Sequence, residues 1–118
     1  MRIILVGAGE VGQNVARELI RDGHDLTIVE RDEDRAQQID DELDARVVRG
    51  NGARPQVLEE AGLGEEGGID LLIGATDRDE VNILACWIAK KSGVPQTMAR
   101  VRSIEFTDTQ SWARDLNV

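Results

Sequence analysis

Ile3-Ile4-Leu5-Val6-Gly7-Ala8-Gly9-Glu10-Val11-Gly12 is the stretch on which the fold turns. The four apolar residues read as a strand and the glycines as a tight turn. Val11, Val15, Ala16, Leu19 and Ile20 then share one face of a helix. A Gly-x-Gly-x-x-Gly string alone is weak evidence. Between a strand and a helix it is a dinucleotide-binding fingerprint. Gly7 lets the chain turn sharply, Gly9 leaves room for a pyrophosphate, and Gly12 lets the helix pack closely on the strand. The first helical N–H groups point at the phosphates, backed by a dipole of roughly half a charge.

Working outward, Asp25-Leu26-Thr27-Ile28-Val29 reads as a second strand, ended by Glu30. Glu30 stands 18 residues after Gly12, where an acid meets the ribose hydroxyls of a bound adenosine. The plainer alternative makes the glycines a packing turn and Glu30 a solvated strand end. Glu30 also argues against a 2′-phosphate, because two anions in contact repel. Arg31 beside it is the usual hint of NADP, and ranks below that argument.

The alternation continues along the chain. Ala36, Ile39 and Leu43 recur at helical spacing, capped by Asp32 or Asp34. Ala45 to Arg49 is a third strand, stopped by Gly50-Asn51-Gly52. Pro55 opens a third helix and Gly62 lies past its end. Asp70 to Ala75 is a fourth strand, an apolar run suited to a sheet buried on both faces. The helix from Glu80 to about Ser92 is apolar around much of its circumference, and so reads as buried on more than one side. Either its own domain or a second copy covers it. Thr97 to Val101 is a fifth strand, Ser103 opens a polar helix to about Trp112, and Leu116 to Val118 starts a sixth strand. This pattern predicts an α/β, Rossmann-like doubly wound parallel sheet, strand order 3-2-1-4-5, with helices on both faces. The carboxyl ends of strands one, two and four (Val6, Glu30, Ala75) then flank one crevice at the switch in strand order.

The 118 residues fit one domain, 41% hydrophobic and 31% charged, which is globular composition. No apolar run approaches the roughly 18 residues that span a bilayer, so no direct membrane insertion is expected. The lone Cys86 suits a reducing compartment. The formal net charge is −9, and residues 30–44 alone hold eight acids against Arg31 and Arg35. That disfavours nucleic acid, whose phosphates need a basic stripe. The acidic stretch reads as a solvated helix face. His24 and Cys86 are the only histidine and cysteine, so neither a metal cluster nor a nucleophile–histidine set can be assembled. His24 reads as a turn residue and Cys86 as core.

Further strings are more specific than the fingerprint. They are Arg46-Val47-Val48-Arg49-Gly50-Asn51-Gly52, Pro55-Gln56-Val57-Leu58-Glu59-Glu60-Ala61-Gly62, Ala75-Thr76-Asp77, Asp79-Glu80-Val81-Asn82 and Ala99-Arg100-Val101-Arg102-Ser103. With them, residues 1–106 resemble the RCK/KTN (TrkA-N) family of nucleotide-binding domains that regulate potassium conductance. The tail from Thr107 departs from that family, which usually continues into a sixth strand and a ligand-binding domain. Residues 1–118 are accordingly expected to be a single domain, a piece of a longer chain.

The resemblance implies a non-enzymatic regulatory subunit, cytoplasmic and peripheral to the inner face of the cell membrane. It implies homodimers and higher rings beneath an integral-membrane potassium channel or transporter subunit, gated by NAD(H) or ATP/ADP. By the same resemblance Gly7, Ala8, Gly9, Glu10 and Val11 match the phosphate loop, Glu30 the ribose acid, and Asn51 or Gly52 the adenine edge. Ala75 and Thr76, followed by Asp77, match the strand-four crest, and Arg100 the phosphate-reading arginine. Arg102 is a looser match. Asn82 serves either structure or ligand, and Arg100 either a phosphate or a surface salt bridge. The competing reading is the cofactor-binding half of an NAD-dependent reductase.

Overall fold

The computed structural model describes residues 1–102. The helix read from Ser103 and the sixth strand read at Leu116 lie outside the described residues. Nine elements follow in order: β1 (Arg2–Val6), α1 (Glu10–Arg21), β2 (Asp25–Glu30), α2 (Glu33–Glu42), β3 (Arg46–Arg49), α3 (Pro55–Glu60), β4 (Leu71–Gly74), α4 (Asp79–Lys91) and β5 (Gln96–Ala99). The five strands form one parallel sheet in the order β3-β2-β1-β4-β5. This is the expected doubly wound arrangement.

Strand alternation splits the core in two. Ile3 and Leu5 of β1 join Ala16 of α1 and Ile39 of α2 on one face. Ile4 and Val6 join Leu58 of α3 and Ala85, Cys86 and Ala89 of α4 on the other. Successive side chains point to opposite faces of a strand, so one apolar run feeds both layers. Burial pushes the Cys86 thiol up to about 11, as expected of a core cysteine.

Local chemistry sets the boundaries. Of the two candidate caps for α2, Asp32 takes the position, its Oδ1 accepting the Arg35 N–H at 3.1 Å. α3 begins on Pro55 and stops before Gly62, whose φ of +113° favours glycine. β5 ends at Ala99, short of the expected Val101. Its partner β4 ends at Gly74, opposite Ala99, so the ladder runs out there. One further backbone bond, from the Arg100 N–H to the Gly74 carbonyl, carries the chain past the sheet.

Two expectations need correction. Val11, which helical spacing groups with the core face of α1, is 39% exposed, because the helix begins beyond the end of the sheet. The apolar circumference of α4 predicts cover on more than one side, by its own domain or by a second copy, and its own domain does not supply it. The helix buries Ile83, Ala85, Cys86 and Ala89 but leaves Leu84 and Trp87 exposed at 42% and 37%, since the sheet covers only one side of it. Trp87 is therefore outside this domain's core, with the Lys91 ammonium 6.0 Å from its ring centroid. Ile88 does pack on the core. Among the described residues no helix is long and apolar enough to cross a membrane.

Candidate functional site

The chain leaves β1 for α1 on one side of the sheet and enters β4 from the other. At that divergence the strand ends border a cleft of about 610 Å³, of a size typical for small-ligand sites. Its floor is the glycine loop. The Gly7 N–H donates to the Val29 carbonyl at 2.8 Å, and Gly7 holds φ at +102°. A Cβ there would stand 2.8 Å from the Thr76 nitrogen, so the segment just after β4 also forbids a side chain. Gly9 differs: its φ is −72°, and an added Cβ would meet only Arg35 Nη1, at 3.9 Å.

Gly9 is also the N-cap of α1 and supplies no side-chain cap. The backbone N–H groups of Gly9, Glu10 and Val11 have no acceptor among the described residues. Helix starts leave such donors free, and the helix dipole adds positive potential there. The start of α1 is thus chemically able to receive an anion.

Glu30 stands across the loop, only 6% exposed. Its Oε1 accepts the Ala8 N–H at 2.9 Å and its Oε2 the Asp32 N–H at 2.8 Å. Arg35 Nη1 lies 3.9 Å from Oε1, an ion pair without a hydrogen bond. A carboxylate oxygen can accept more than one hydrogen bond, so Glu30 is held in place with acceptor capacity left over.

Arg31, Arg35, Arg78 and Arg100 line the cleft, facing Glu10, Glu30, Asp32 and Asp77. The molecule as a whole carries −9. Four arginines against four carboxylates leave the cleft far less acidic than the rest of the protein, so an anion is repelled less there.

The TrkA-N domain model matches residues 3–111. The chain belongs to the TrkA-N domain family. The Trk system potassium uptake protein TrkA of Vibrio alginolyticus is 40% identical over 107 residues, spanning 90% of this chain and 23% of that one. The chain thus spans under a quarter of that relative's length. Among solved structures, the Kef C-terminal domain of Shewanella denitrificans in its AMP-bound form aligns at a TM-score of 0.65. It is 28% identical, over 83% of this chain and 56% of that one. The GsuK channel bound to NAD shares the fold at a TM-score of 0.65 and 17% identity, over 82% of this chain and 21% of that one. The anaerobillin reductase ChuY of Escherichia coli O157:H7 shares it too, at 0.65 and 20% identity, over 82% and 48%.

In this TrkA-N chain the cleft gathers Gly7, Ala8, Gly9, Glu10, Val11, Glu30, Arg31, Asn51, Ala75, Thr76, Asp77 and Arg100. Two glycines stand apart. Gly12 lies behind the loop, where a Cβ would come 2.1 Å from the Gly7 carbonyl oxygen. Gly52, read as an adenine edge beside Asn51, packs under β1 instead, where a Cβ would come 2.3 Å from a Val6 methyl. Arg102 does not line the cleft; its Nη2 donates to the Asp77 carbonyl at 2.9 Å.

Asn82 proves structural. Fully buried, it accepts the Thr76 N–H at 2.8 Å through Oδ1 and donates from Nδ2 to the carbonyls of Thr76 at 3.0 Å and Arg100 at 2.8 Å. One side chain thereby ties the ends of β4 and β5 together. The Arg100 guanidinium has no partner among the described residues, so no surface salt bridge engages it there.

Arg35 and Arg78 line the cleft unforeseen. The signal for Arg35 was present. Asp32 as N-cap puts Arg35 in the first turn of α2, and helical side chains lean toward the N-terminus, here the end of β2. Arg78 is the N-cap of α4, a position its residue type does not announce.

Proposed function

We propose that this domain is the nucleotide-sensing module of a potassium uptake system. It binds NAD(H) or ATP/ADP in the cleft and passes its ligand state to an integral-membrane channel or transporter subunit. It does so on the cytoplasmic side, within homodimers and higher rings. The observation that carries the reading is the uncapped α1 start, with its free amides, facing arginines beside an anchored glutamate. The family, the name of the Vibrio relative and the AMP-bound Kef neighbour support it.

In that reading the α1 amides hold the pyrophosphate and Glu30 the ribose hydroxyls. Asn51 borders the adenine and Arg100 meets an outer phosphate. The cleft's own ionisable groups are carboxylates and arginines. His24 contacts the Met1 amino group at the opposite end of the sheet, and Cys86 is in the core. A regulatory role therefore suits it better than the reductase reading. Calorimetry with ATP, ADP and NADH tests this: binding of none of them refutes it, and hydride transfer to an added acceptor would favour the reductase.

Glu30→Gln is expected to lower nucleotide affinity roughly 10- to 150-fold, the equivalent of a charge-assisted hydrogen bond. Both carboxylate oxygens accept amide protons, so the glutamine NH₂ must face a donor, costing a further ~1–3 kcal/mol of stability. Calorimetry below the melting temperature separates the two effects, and unchanged affinity removes Glu30 from the site.

Arg100→Ala is expected to cost ATP at least ~10-fold in affinity and ADP less than ~3-fold, since only ATP brings a γ-phosphate to the guanidinium. A ligand shifts a conformational equilibrium only through contacts that differ between states. That phosphate is such a contact, and α4 with its exposed Leu84 and Trp87 starts beside it. Equal losses for the two nucleotides would make Arg100 a general anchor.

A further inference from the structure

We infer that Arg35 is a specificity-determining residue of this cleft, a clamp that closes over the phosphates from α2 and makes affinity depend on them. The inference rests on the reading that the cleft takes an adenosine nucleotide.

Three observations place the guanidinium. Its Nη1 is the nearest atom to the bare face of Gly9, 3.9 Å from where a Cβ would stand. The same nitrogen is 3.9 Å from Glu30 Oε1, beyond hydrogen-bond range. The Arg35 backbone is fixed, because its N–H is held by the Asp32 cap, while its side chain is 47% exposed. The guanidinium thus hangs between the phosphate floor and the ribose acid, on a rigid base and a pivoting stem.

Among the described residues no protein group takes the hydrogen bonds of its guanidinium. Its one ion-pair partner among them is Glu30, at 3.9 Å and without a hydrogen bond. A phosphate seated on the α1 amides would lie within the reach of this stem. An arginine fork matches two phosphate oxygens at once, which a lysine does not. The pairing also offsets the repulsion between Glu30 and an incoming phosphate, which otherwise disfavours the ligand.

The charge geometry makes a selective prediction. Adenosine lacks the group that Arg35 meets, and ADP has it. Arg35→Ala should lower ADP affinity at least ~10-fold and adenosine affinity by less than ~2-fold, with Arg35→Lys between them for ADP. The salt sensitivity of ADP binding should fall in Arg35→Ala, because one charged contact is gone. The fold should persist, since the cap uses the backbone of Arg35 and the ion pair is half-exposed. Calorimetry on the wild type and both variants, at two salt concentrations, reads all of this. Unchanged ADP affinity, or equal losses for adenosine and ADP, overturns the clamp. Failure of the wild type to bind ADP, ATP or NADH refutes the nucleotide reading itself, and is seen before any variant is made.

Discussion

Gly9→Val is expected to leave the domain folded and to remove binding of ADP and NADH, with affinity falling more than ~100-fold. The Gly9 backbone, at φ −72° and ψ −165°, is extended and accepts a β-branched residue without strain. The new methyls would point into the cleft, where among the described residues only the movable end of Arg35 comes within 4 Å of the added Cβ. Stability suffers only through the helix N-cap, where valine is worse than glycine by about 1 kcal/mol, a few degrees in melting temperature. Binding suffers directly, because those methyls occupy the space a phosphate needs above the α1 amides. Thermal denaturation beside calorimetry distinguishes the two. Normal affinity in a folded Gly9→Val would show that no phosphate rests on this loop.

Gly12→Ala is expected to do the reverse and damage the fold itself. The added Cβ would stand 2.1 Å from the Gly7 carbonyl oxygen and 2.8 Å from its carbon, both of them backbone atoms. Overpacking costs about 1–3 kcal/mol and more where no side chain can yield, as here. Alanine recovers about 1 kcal/mol as a better helix former than glycine. Sterics win by about 2 kcal/mol or more, so the melting temperature should fall roughly 10–15 °C. A fall of only a few degrees would mean that α1 can move off the loop cheaply. One methyl thus unsettles the domain at Gly12, whereas a whole isopropyl group at Gly9 is expected to spare it.

Much of the architecture is legible in the sequence. The run Ile3–Val6 had to be a strand buried on both faces, because it carries no polar position to turn toward water. Five strands alternating with helices leave few right-handed topologies, and the fingerprint selects the order found. Glu30 was legible by its distance from the glycines. The free amides of α1 followed from a glycine at its start.

Other features depended on partners far along the chain. Gly52 reads as a turn glycine, and its sequence neighbours say nothing of the Val6 side chain that fills its missing Cβ. Asn82 looked equally fit for ligand or structure until Thr76 and Arg100 took its hydrogen bonds. Arg35 sat among acids and read as part of a solvated face, yet the docking of α2 against the sheet swings it over Gly9.

The sequence by itself determined the order of elements, the sheet and the position of the crevice. Those follow from periodicity, backbone conformation and the handedness of crossovers, all carried by residues near one another in the chain. Only the tertiary structure decided which glycine faces the cleft, which polar side chains remain unpaired and which arginines reach across. Each of those depends on distances of a few ångströms between atoms brought together from separate strands and helices, and chain order does not encode such distances locally.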